Sequence, residues 1–242
     1  MGIGFGAGLG VAASAAAAAV PILQIQLRGD AGVYEDDAAT DPAEASDLVQ
    51  RWNDTDTGQA SSWYDVGATY PTLVTADADF NGHDILYFFT GGSLQSSLTG
   101  MSAAVSHTFF WVIYFGALTA DAHLFDSPNL TIWANDSASK LGFQDSTALR
   151  SASTSPPTSA TTVLALVLDA VGGTGQFYQA GSAVGGSLTY DKLSTITGTC
   201  ALMDSVTTDG GNNAWLGEFR WYDEAKSAAE VATITTALEV TY

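Results

Sequence analysis

Carboxylates near the carboxyl end form the densest group in this sequence that could carry out acid–base chemistry. Glu218 is followed by Asp223 and Glu224, at offsets of five and one. Glycoside hydrolysis needs two carboxylates that flank one bond, whereas successive residues of a strand point to opposite faces. The spacing does not favour such a pair. We therefore predict that Glu218 pairs with a neighbouring group or solvent, and that the protein has no catalytic residues.

The histidines and the cysteine offer no recognisable reactive site either. His83, His107 and His123 lack a nucleophile elbow and the spacing of zinc ligands, so we predict packed or surface histidines. Cys200 is the lone cysteine, which excludes an intramolecular disulfide framework. We expect it to be a buried, inert strand thiol.

Acidic loops raise the question of calcium. Asp77-Ala78-Asp79-Phe80-Asn81-Gly82 begins like an EF-hand loop, but Phe88 stands where that loop needs its bidentate glutamate. Asn81-Gly82 is also typical of a hairpin turn, and we favour that interpretation. Asp54 to Gly58 and Glu35-Asp36-Asp37 are other sources of oxygen ligands. No cofactor is predicted, and calcium remains an open alternative.

Aromatic side chains suggest a different chemistry, the stacking of sugar rings. The residues that could form such a platform are Trp63, Tyr64, Trp133, Tyr178, Trp215 and Trp221. Aromatic residues at alternating strand positions are more often core, and Trp111 and Trp221 fit that pattern. Trp63-Tyr64 lies in a polar segment, so it is the predicted carbohydrate-binding pair.

The charge balance excludes some classes of partner. The 242 residues include 26 acidic and seven basic side chains, with a formal net charge of −19. Such a surface repels phosphate backbones and anionic lipids, so we predict neither nucleic-acid binding nor attraction to anionic lipid. The longest apolar run, Thr108 to Phe115, is too short to span a membrane, so no membrane span is predicted. The hydrophobic fraction of 46% supplies a core, which a disordered chain would lack.

The elements that must position these residues are mainly strands. Apolar, β-forming runs cover Ile22 to Leu27, Asp84 to Phe89, Thr108 to Phe115 and Thr161 to Leu168. Glycine pairs separate many of them, and intervening helical patterns are missing, which favours an antiparallel sandwich over βαβ units. Ser151 to Thr162, with two prolines, is predicted as a long surface loop.

One helix is predicted near the end of the chain. Ser227 and Glu230 have the spacing of a capping box, and Val231, Ile234 and Leu238 follow on one face. The predicted fold class is therefore all-β, an antiparallel jelly-roll sandwich with one short C-terminal helix and an extended N-terminal arm.

Several segments resemble concanavalin A-like lectin/glucanase jelly rolls, also called laminin-G-like domains. The resemblance rests on Leu48 to Asp54, Tyr70-Pro71-Thr72-Leu73-Val74, Asn81 to Phe88, and Trp215 to Asp223 with the following helix. It implies the same sandwich over residues 22–242. Glucanases of this group carry Glu-x-Asp-x-x-Glu on one strand, and that triplet does not occur here. The resemblance implies a fold rather than one function.

The first 21 residues have a composition of their own. Glycine alternates with other residues through Gly10, and an alanine-rich run then leads to Pro21. A period of two suits an extended strand, and the absence of Lys or Arg before Arg28 disfavours a secretory signal. We predict an arm, residues 1–21, that anchors the protein to a partner through Ile3, Phe5, Leu9 and Val11.

This leader, followed by Leu27-Arg28-Gly29-Asp30-Ala31, also resembles structural proteins of tailed bacteriophages. That resemblance implies a non-enzymatic virion protein, a capsid decoration, head fibre or tail-associated protein, bound to other virion proteins and forming a homo-oligomer. The alternative is a carbohydrate-binding module or adhesin that binds cell-surface glycans. A glycosidase is the third hypothesis for the function.

Overall fold

The computed structural model describes most of the chain from Leu23 onward. The described residues are 23–54, 61–65, 69–89, 92–98, 106–116, 118, 121–136, 138–145, 148–158, 160–191, 196, 198–203 and 213–242. The predicted arm, with Ile3, Phe5, Leu9 and Val11, lies outside them, as does Ile22.

The described residues form strands with two helical segments. The strands are β1 (Leu23–Arg28), β2 (Val33–Tyr34), β3 (Arg51–Asn53), β4 (Ser62–Tyr64), β5 (Thr72–Asp77), β6 (His83–Phe88), β7 (Leu94–Leu98), β8 (His107–Phe115), β9 (Ala122–Asp126), β10 (Leu130–Asn135), β11 (Gly142–Asp145), β12 (Ala148–Ser151), β13 (Thr162–Asp169), β14 (Thr174–Gln179), β15 (Ser182–Thr189), β16 (Gly198–Leu202) and β17 (Ala214–Tyr222). A short 3₁₀ helix covers Ala78–Phe80, and the α-helix α1 covers Ala228–Thr241.

The strands form two antiparallel sheets, as the sequence predicts. Sheet 1 has the order β15-β14-β13-β8-β17-β6-β5, and β1 pairs with β17 beyond the end of its pairing with β6. Sheet 2 has the order β12-β11-β10-β9-β16-β7-β4-β3-β2. The predicted all-β sandwich is therefore confirmed. The loop predicted between Ser151 and Thr162 connects β12 to β13.

The main core lies between the two sheets. Its centre is an inner aromatic stack made of Phe109, Trp111, Phe125, Phe219 and Trp221, all buried. The ring centroids of its contacting pairs lie 5.3–6.4 Å apart. Trp111 and Trp221 are thus core residues, as predicted, and Cys200 of β16 is buried as well.

Helix α1 covers part of the outer face of sheet 1. The capping box is formed as predicted: the Ser227 hydroxyl accepts from the Glu230 backbone N–H, and the Glu230 carboxylate accepts from the Ser227 backbone N–H. Val231 and Leu238 are buried against this face, and Ile234 is partly buried there. A second, smaller core therefore lies beneath the helix.

The outermost strands are short or irregular. β2 has two residues and β12 has four. β5 shifts register between Val74 and Asp77, and β15 contains Gly185 and Gly186, both at positive φ. Among the described helices, none is both long and apolar enough to cross a membrane.

Candidate functional site

The predicted carbohydrate-binding pair is not an exposed platform. Trp63 belongs to β4 rather than to a loop and is fully buried, with its ring 6.3 Å from that of Phe219. Tyr64 points to the outer face of sheet 2, where the Arg51 guanidinium lies 5.1 Å from its ring centroid. Polar residues flank this three-residue strand, so its alternation between the two faces is not evident in the sequence. One of its two rings lies in the core, and the other lies under a cation.

Two of the three carboxylates near the carboxyl end are paired, and Glu218 is one of them, as predicted. Glu218 is 2% exposed and accepts from Gln26 Nε2 at 2.6 Å and from Arg220 Nε at 2.5 Å. Glu224 forms an ion pair with Lys226. Glu218 is thus a buried carboxylate that accepts hydrogen bonds from an amide and a guanidinium group.

The acidic loops do not converge on a metal. Within the described part of the chain, no group of three or more His, Cys, Asp or Glu side chains could hold a metal ion. Asn81 and Gly82 both have positive φ and connect the 3₁₀ helix to β6. The turn predicted there is therefore confirmed. Residues 55–58 of the Asp54 to Gly58 segment lie outside the described residues.

A different set of aromatic residues lies on the outer face of sheet 1. Tyr114 of β8 is paired with Trp215 of β17, and Trp215 is paired with Tyr87 of β6. Directly paired residues of neighbouring strands share one face, so the three side chains form one row. Phe89 extends the row from Tyr87. We call Tyr114, Trp215, Tyr87 and Phe89 the outer aromatic row.

The rings of this row contact one another and remain open to solvent. Trp215 and Tyr87 are stacked with centroids 4.6 Å apart, and Tyr87 and Phe89 are stacked at 6.1 Å. Tyr114 meets Trp215 edge-on at 5.2 Å. Phe89 is 41% exposed and the other three are half-buried. The stacked rings cover part of one another's faces, and the area that remains exposed forms a continuous aromatic surface.

Two local features fix the position of the row. The Tyr87 hydroxyl donates to Asn213 Oδ1 at 2.5 Å. Gly116 brings the β8 backbone close to the row, because a Cβ at this position would lie 3.0 Å from Trp215 Cζ3. The row is therefore held by its own contacts and by the backbone beneath it.

A register shift explains how β17 places aromatic residues on both faces. Leu216 points into the main core, and a regular strand would then direct residue 219 outward. The pairing of β17 with β8 shifts between Leu216 and Glu218, which turns Phe219 and Trp221 inward. Trp215, before the shift, stays outside. A Cβ on Gly217, at the shift, would lie 3.0 Å from the rings of both Phe80 and Tyr242.

An acidic recess adjoins the row. Its walls are Asp77, Asp79, Phe80, Tyr114 and Trp215, and its volume is about 190 Å³. This is smaller than the roughly 300–1,000 Å³ of pockets that enclose drug-sized ligands. A larger cleft of about 460 Å³ shares Asp79 and continues along Val112, Thr161, Thr162 and Glu239 to Tyr242. The recess would thus take a single ring of a longer ligand.

Solved structures with similar folds are binding domains and parts of carbohydrate-active enzymes. One is the binding domain of botulinum neurotoxin DC in complex with SialylT, with a TM-score of 0.58 and 12% identity over 90% of this chain and 51% of that one. Another is domain 4 of AbnA, a GH43 extracellular arabinanase from Geobacillus stearothermophilus in complex with arabinotriose, with a TM-score of 0.53 and 17% identity over 89% and 98% of the two chains. The chain has a lectin-like β-sandwich fold.

A Trypanosoma rangeli sialidase is also similar, with a TM-score of 0.57 and 11% identity over 91% of this chain and 33% of that one. The chain thus spans about half the length of the toxin binding domain and a third of the sialidase. No protein-family model matches this sequence, and no curated protein matches it. At these identities, the similarity concerns the lectin-like fold alone.

Sequence reasoning found part of the outer aromatic row. Trp215 is among the aromatic residues named as platform candidates, whereas Tyr87, Phe89 and Tyr114 are not. The alternation of Ile85, Tyr87 and Phe89 with Leu86 and Phe88 is a signal of a strand with two apolar faces. It did not reveal that the outer face stays partly open.

Proposed function

We propose that this domain binds carbohydrate through the outer aromatic row. The observation that carries the proposal is the row itself: four aromatic side chains on neighbouring strands, in contact with one another and open to solvent. The apolar C–H faces of sugar rings pack against aromatic faces, while polar groups nearby fix orientation. Asp77 and Asp79 provide such groups beside Trp215.

The fold supports the same proposal. Among the similar structures, one domain is in complex with arabinotriose and another with SialylT. Those ligands belong to those proteins. For this chain they favour the carbohydrate-binding alternative over the virion role, which depends on an arm outside the described residues and stays a prediction.

We propose binding without catalysis. Glu218 is buried and held by Gln26 and Arg220, and the two carboxylates beside the row, Asp77 and Asp79, lie close together in sequence within one recess. Asp77 accepts from the Asp79 backbone N–H at 2.9 Å, which assigns it a role in capping the 3₁₀ helix. A screen of β-glucans, arabinans and sialosides is expected to show no turnover. Hydrolysis that Glu218→Gln abolishes would contradict this proposal.

The binding proposal is tested by measuring affinity for a panel of immobilised oligosaccharides. Trp215→Ala is expected to weaken binding by about 2 kcal/mol, roughly 30-fold, the size of a central aromatic contact. Thermal melting shows whether each variant remains folded.

Two matched variants make the test specific to this face. Trp133 is half-buried on the outer face of sheet 2, where its ring lies 5.5 Å from that of His123. Trp133→Ala and Tyr64→Ala are expected to leave affinity unchanged. Loss of binding in either of these, with Trp215→Ala unaffected, would move the site to sheet 2 and overturn the proposal.

A further inference from the structure

Among the described residues, the charged side chains that line the acidic recess and the adjoining cleft are all carboxylates. Asp77 and Asp79 line the acidic recess, and Glu239 lines the adjoining cleft. Among the described residues that line either space, none is Lys, Arg or His. Nor does any of these three carboxylates form an ion pair within the described part of the chain.

Six of the seven Lys and Arg side chains belong to the described residues, and each has a partner there; Lys140 donates to the Ser155 hydroxyl. Arg28, Arg150, Arg220 and Lys226 form ion pairs with Asp30, Asp191, Glu218 and Glu224. Arg51 donates to Asn53, Ser62 and the carbonyl oxygen of Asp37 on sheet 2. Two bases lie near Tyr242 of the cleft, His83 with its ring centroid 4.9 Å away and Arg28, and both pair with Asp30 rather than with Asp77 or Asp79. The carboxylates of the recess therefore keep a negative potential, and the net charge of −19 adds to it.

The same surface suits a positive charge on the ligand. A cation near the face of a tryptophan or tyrosine is attracted by the ring quadrupole, and carboxylates attract it over a longer range. A sugar carboxylate placed in the recess would instead meet Asp77 and Asp79, and like charges in contact disfavour binding. A glycan that carries a protonated amine satisfies both the rings and the recess.

We infer that the site prefers amino-sugar oligomers, which carry ammonium groups, to neutral glycans, and that it rejects acidic glycans. The inference rests on the proposed function, because it assigns the ligand class of the same site. In the bound state, one ring packs against Trp215 with its ammonium group towards Asp77 and Asp79. The chain then passes Asp79 towards Thr161, Thr162 and Glu239.

The test compares three tetrasaccharides of equal length: N-acetylated chitotetraose, its fully deacetylated form and tetragalacturonate. Titration is done at a pH where the sugar amines are protonated and the carboxylates ionised. The deacetylated form is expected to bind about tenfold tighter than the N-acetylated form, the effect of about one exposed charge pair. This advantage should shrink as salt is added, and tetragalacturonate should not bind.

Charge-neutral variants separate the recess from the overall charge. Asp79→Asn and Asp77→Asn are expected to lower affinity for the deacetylated form about fivefold, less than one full contact charge pair, and to leave N-acetylated binding unchanged. The asparagine at position 77 keeps an oxygen that can accept from the Asp79 backbone N–H. Glu44→Gln removes the same charge from an exposed side chain outside the recess and should change neither affinity.

Each outcome decides between the two proposals. Equal affinity for both chito-oligomers, or an equal effect of Glu44→Gln and Asp79→Asn, overturns the charge preference. If Trp215→Ala still weakens binding roughly 30-fold in that case, carbohydrate binding at the row stands. Binding of tetragalacturonate also overturns the preference. If none of the three probes binds, the preference is overturned, and carbohydrate binding at the row stands only if the oligosaccharide panel finds a ligand that Trp215→Ala weakens.

Discussion

Strands β8 and β17 carry aromatic side chains on both faces, and the inner aromatic stack and the outer aromatic row differ in burial. The inner aromatic stack places Phe109, Trp111, Phe219 and Trp221 from these two strands in the core. The outer aromatic row takes Tyr114 and Trp215 from the same strands and leaves them half-buried. Ring separations are similar, 5.3–6.4 Å inside and 4.6–6.1 Å outside.

This similarity shows that contact between rings does not by itself distinguish a core from a site. The inner rings are removed from water, so their apolar area contributes to stability at roughly 25 cal/mol per Å². The outer rings keep accessible area, and that contribution becomes available only when a ligand covers them. We therefore expect variants of the two sets to change different measured quantities.

The largest expected effect comes from a pair of phenylalanine substitutions. Phe219→Ala should lower the free energy of unfolding by about 3–5 kcal/mol, because it leaves a cavity in the core. Phe89→Ala, at a 41% exposed position, should change it by no more than about 1 kcal/mol. Denaturant unfolding measures both, and comparable losses would contradict the division between the two faces.

A smaller effect is expected from acid. His107 contacts the inner stack at Phe109 and Trp221, and burial lowers its pKa from 6.5 to about 4. Between pH 6.5 and 4, His107 is protonated in the unfolded chain but neutral in the folded one. The contribution of neutral His107 to the free energy of unfolding is therefore complete above pH 6.5 and is lost as the pH falls towards 4. The loss is about 1.4 kcal/mol per unit, or about 3 kcal/mol over the whole window.

His107→Gln isolates this contribution. Glutamine does not titrate and offers an oxygen to the Trp221 Nε1–H, which donates to His107 Nδ1 in the native protein. The unfolding free energy of the variant should depend less steeply on pH between 6.5 and 4. Parallel pH profiles for the two proteins would show that His107 is not the source.

The outer row should respond to a change that hardly affects the core. Gly116→Ala places a Cβ about 3.0 Å from Trp215 Cζ3 and 3.1 Å from the backbone oxygen of Asn213. The half-exposed ring can move outward, and the backbone at Asn213 has to shift by a few tenths of an ångström. We expect a stability change of at most about 1 kcal/mol and roughly fivefold weaker glycan binding, a change of about 1 kcal/mol. Calorimetric titration and melting measure the two effects. Unchanged binding would mean that the placement of Trp215 is not critical.

The smallest effect is expected from removing residues 1–21. The strands from β1 onward already form both sheets, so the truncated chain should unfold cooperatively at nearly the same temperature and bind glycans equally well. Particle association through Ile3, Phe5, Leu9 and Val11 remains a separate prediction. A truncated chain without a cooperative transition would show that the arm belongs to the folded domain.

The sequence predicts the fold better than the site, for a physical reason. Strand positions follow from local runs, and β8 begins one residue before the predicted Thr108 to Phe115 run. The helix follows from the Ser227–Glu230 capping box. Both signals lie within a few residues, so no knowledge of distant partners is needed.

The site depends on relations that no local pattern contains. The partial exposure of Trp215 depends on the register shift between Leu216 and Glu218, which lets β17 carry aromatic residues on both faces. Trp63 shows the converse: its neighbours are polar, yet its ring lies against Phe219 from the opposite sheet. Whether a side chain is buried depends on the residues that pack against it across the sandwich. The sequence around that side chain does not contain this information.

The irregular outer strands disfavour pairing between the sheet edges of neighbouring copies. A long, regular edge strand is a template on which another chain can extend the sheet, and such edges promote aggregation. Here β2 and β12 are short, β5 shifts register, and Ser153 donates both its backbone N–H and its hydroxyl to Gly185 O of β15. Many copies can therefore lie side by side at high density without their sheets fusing.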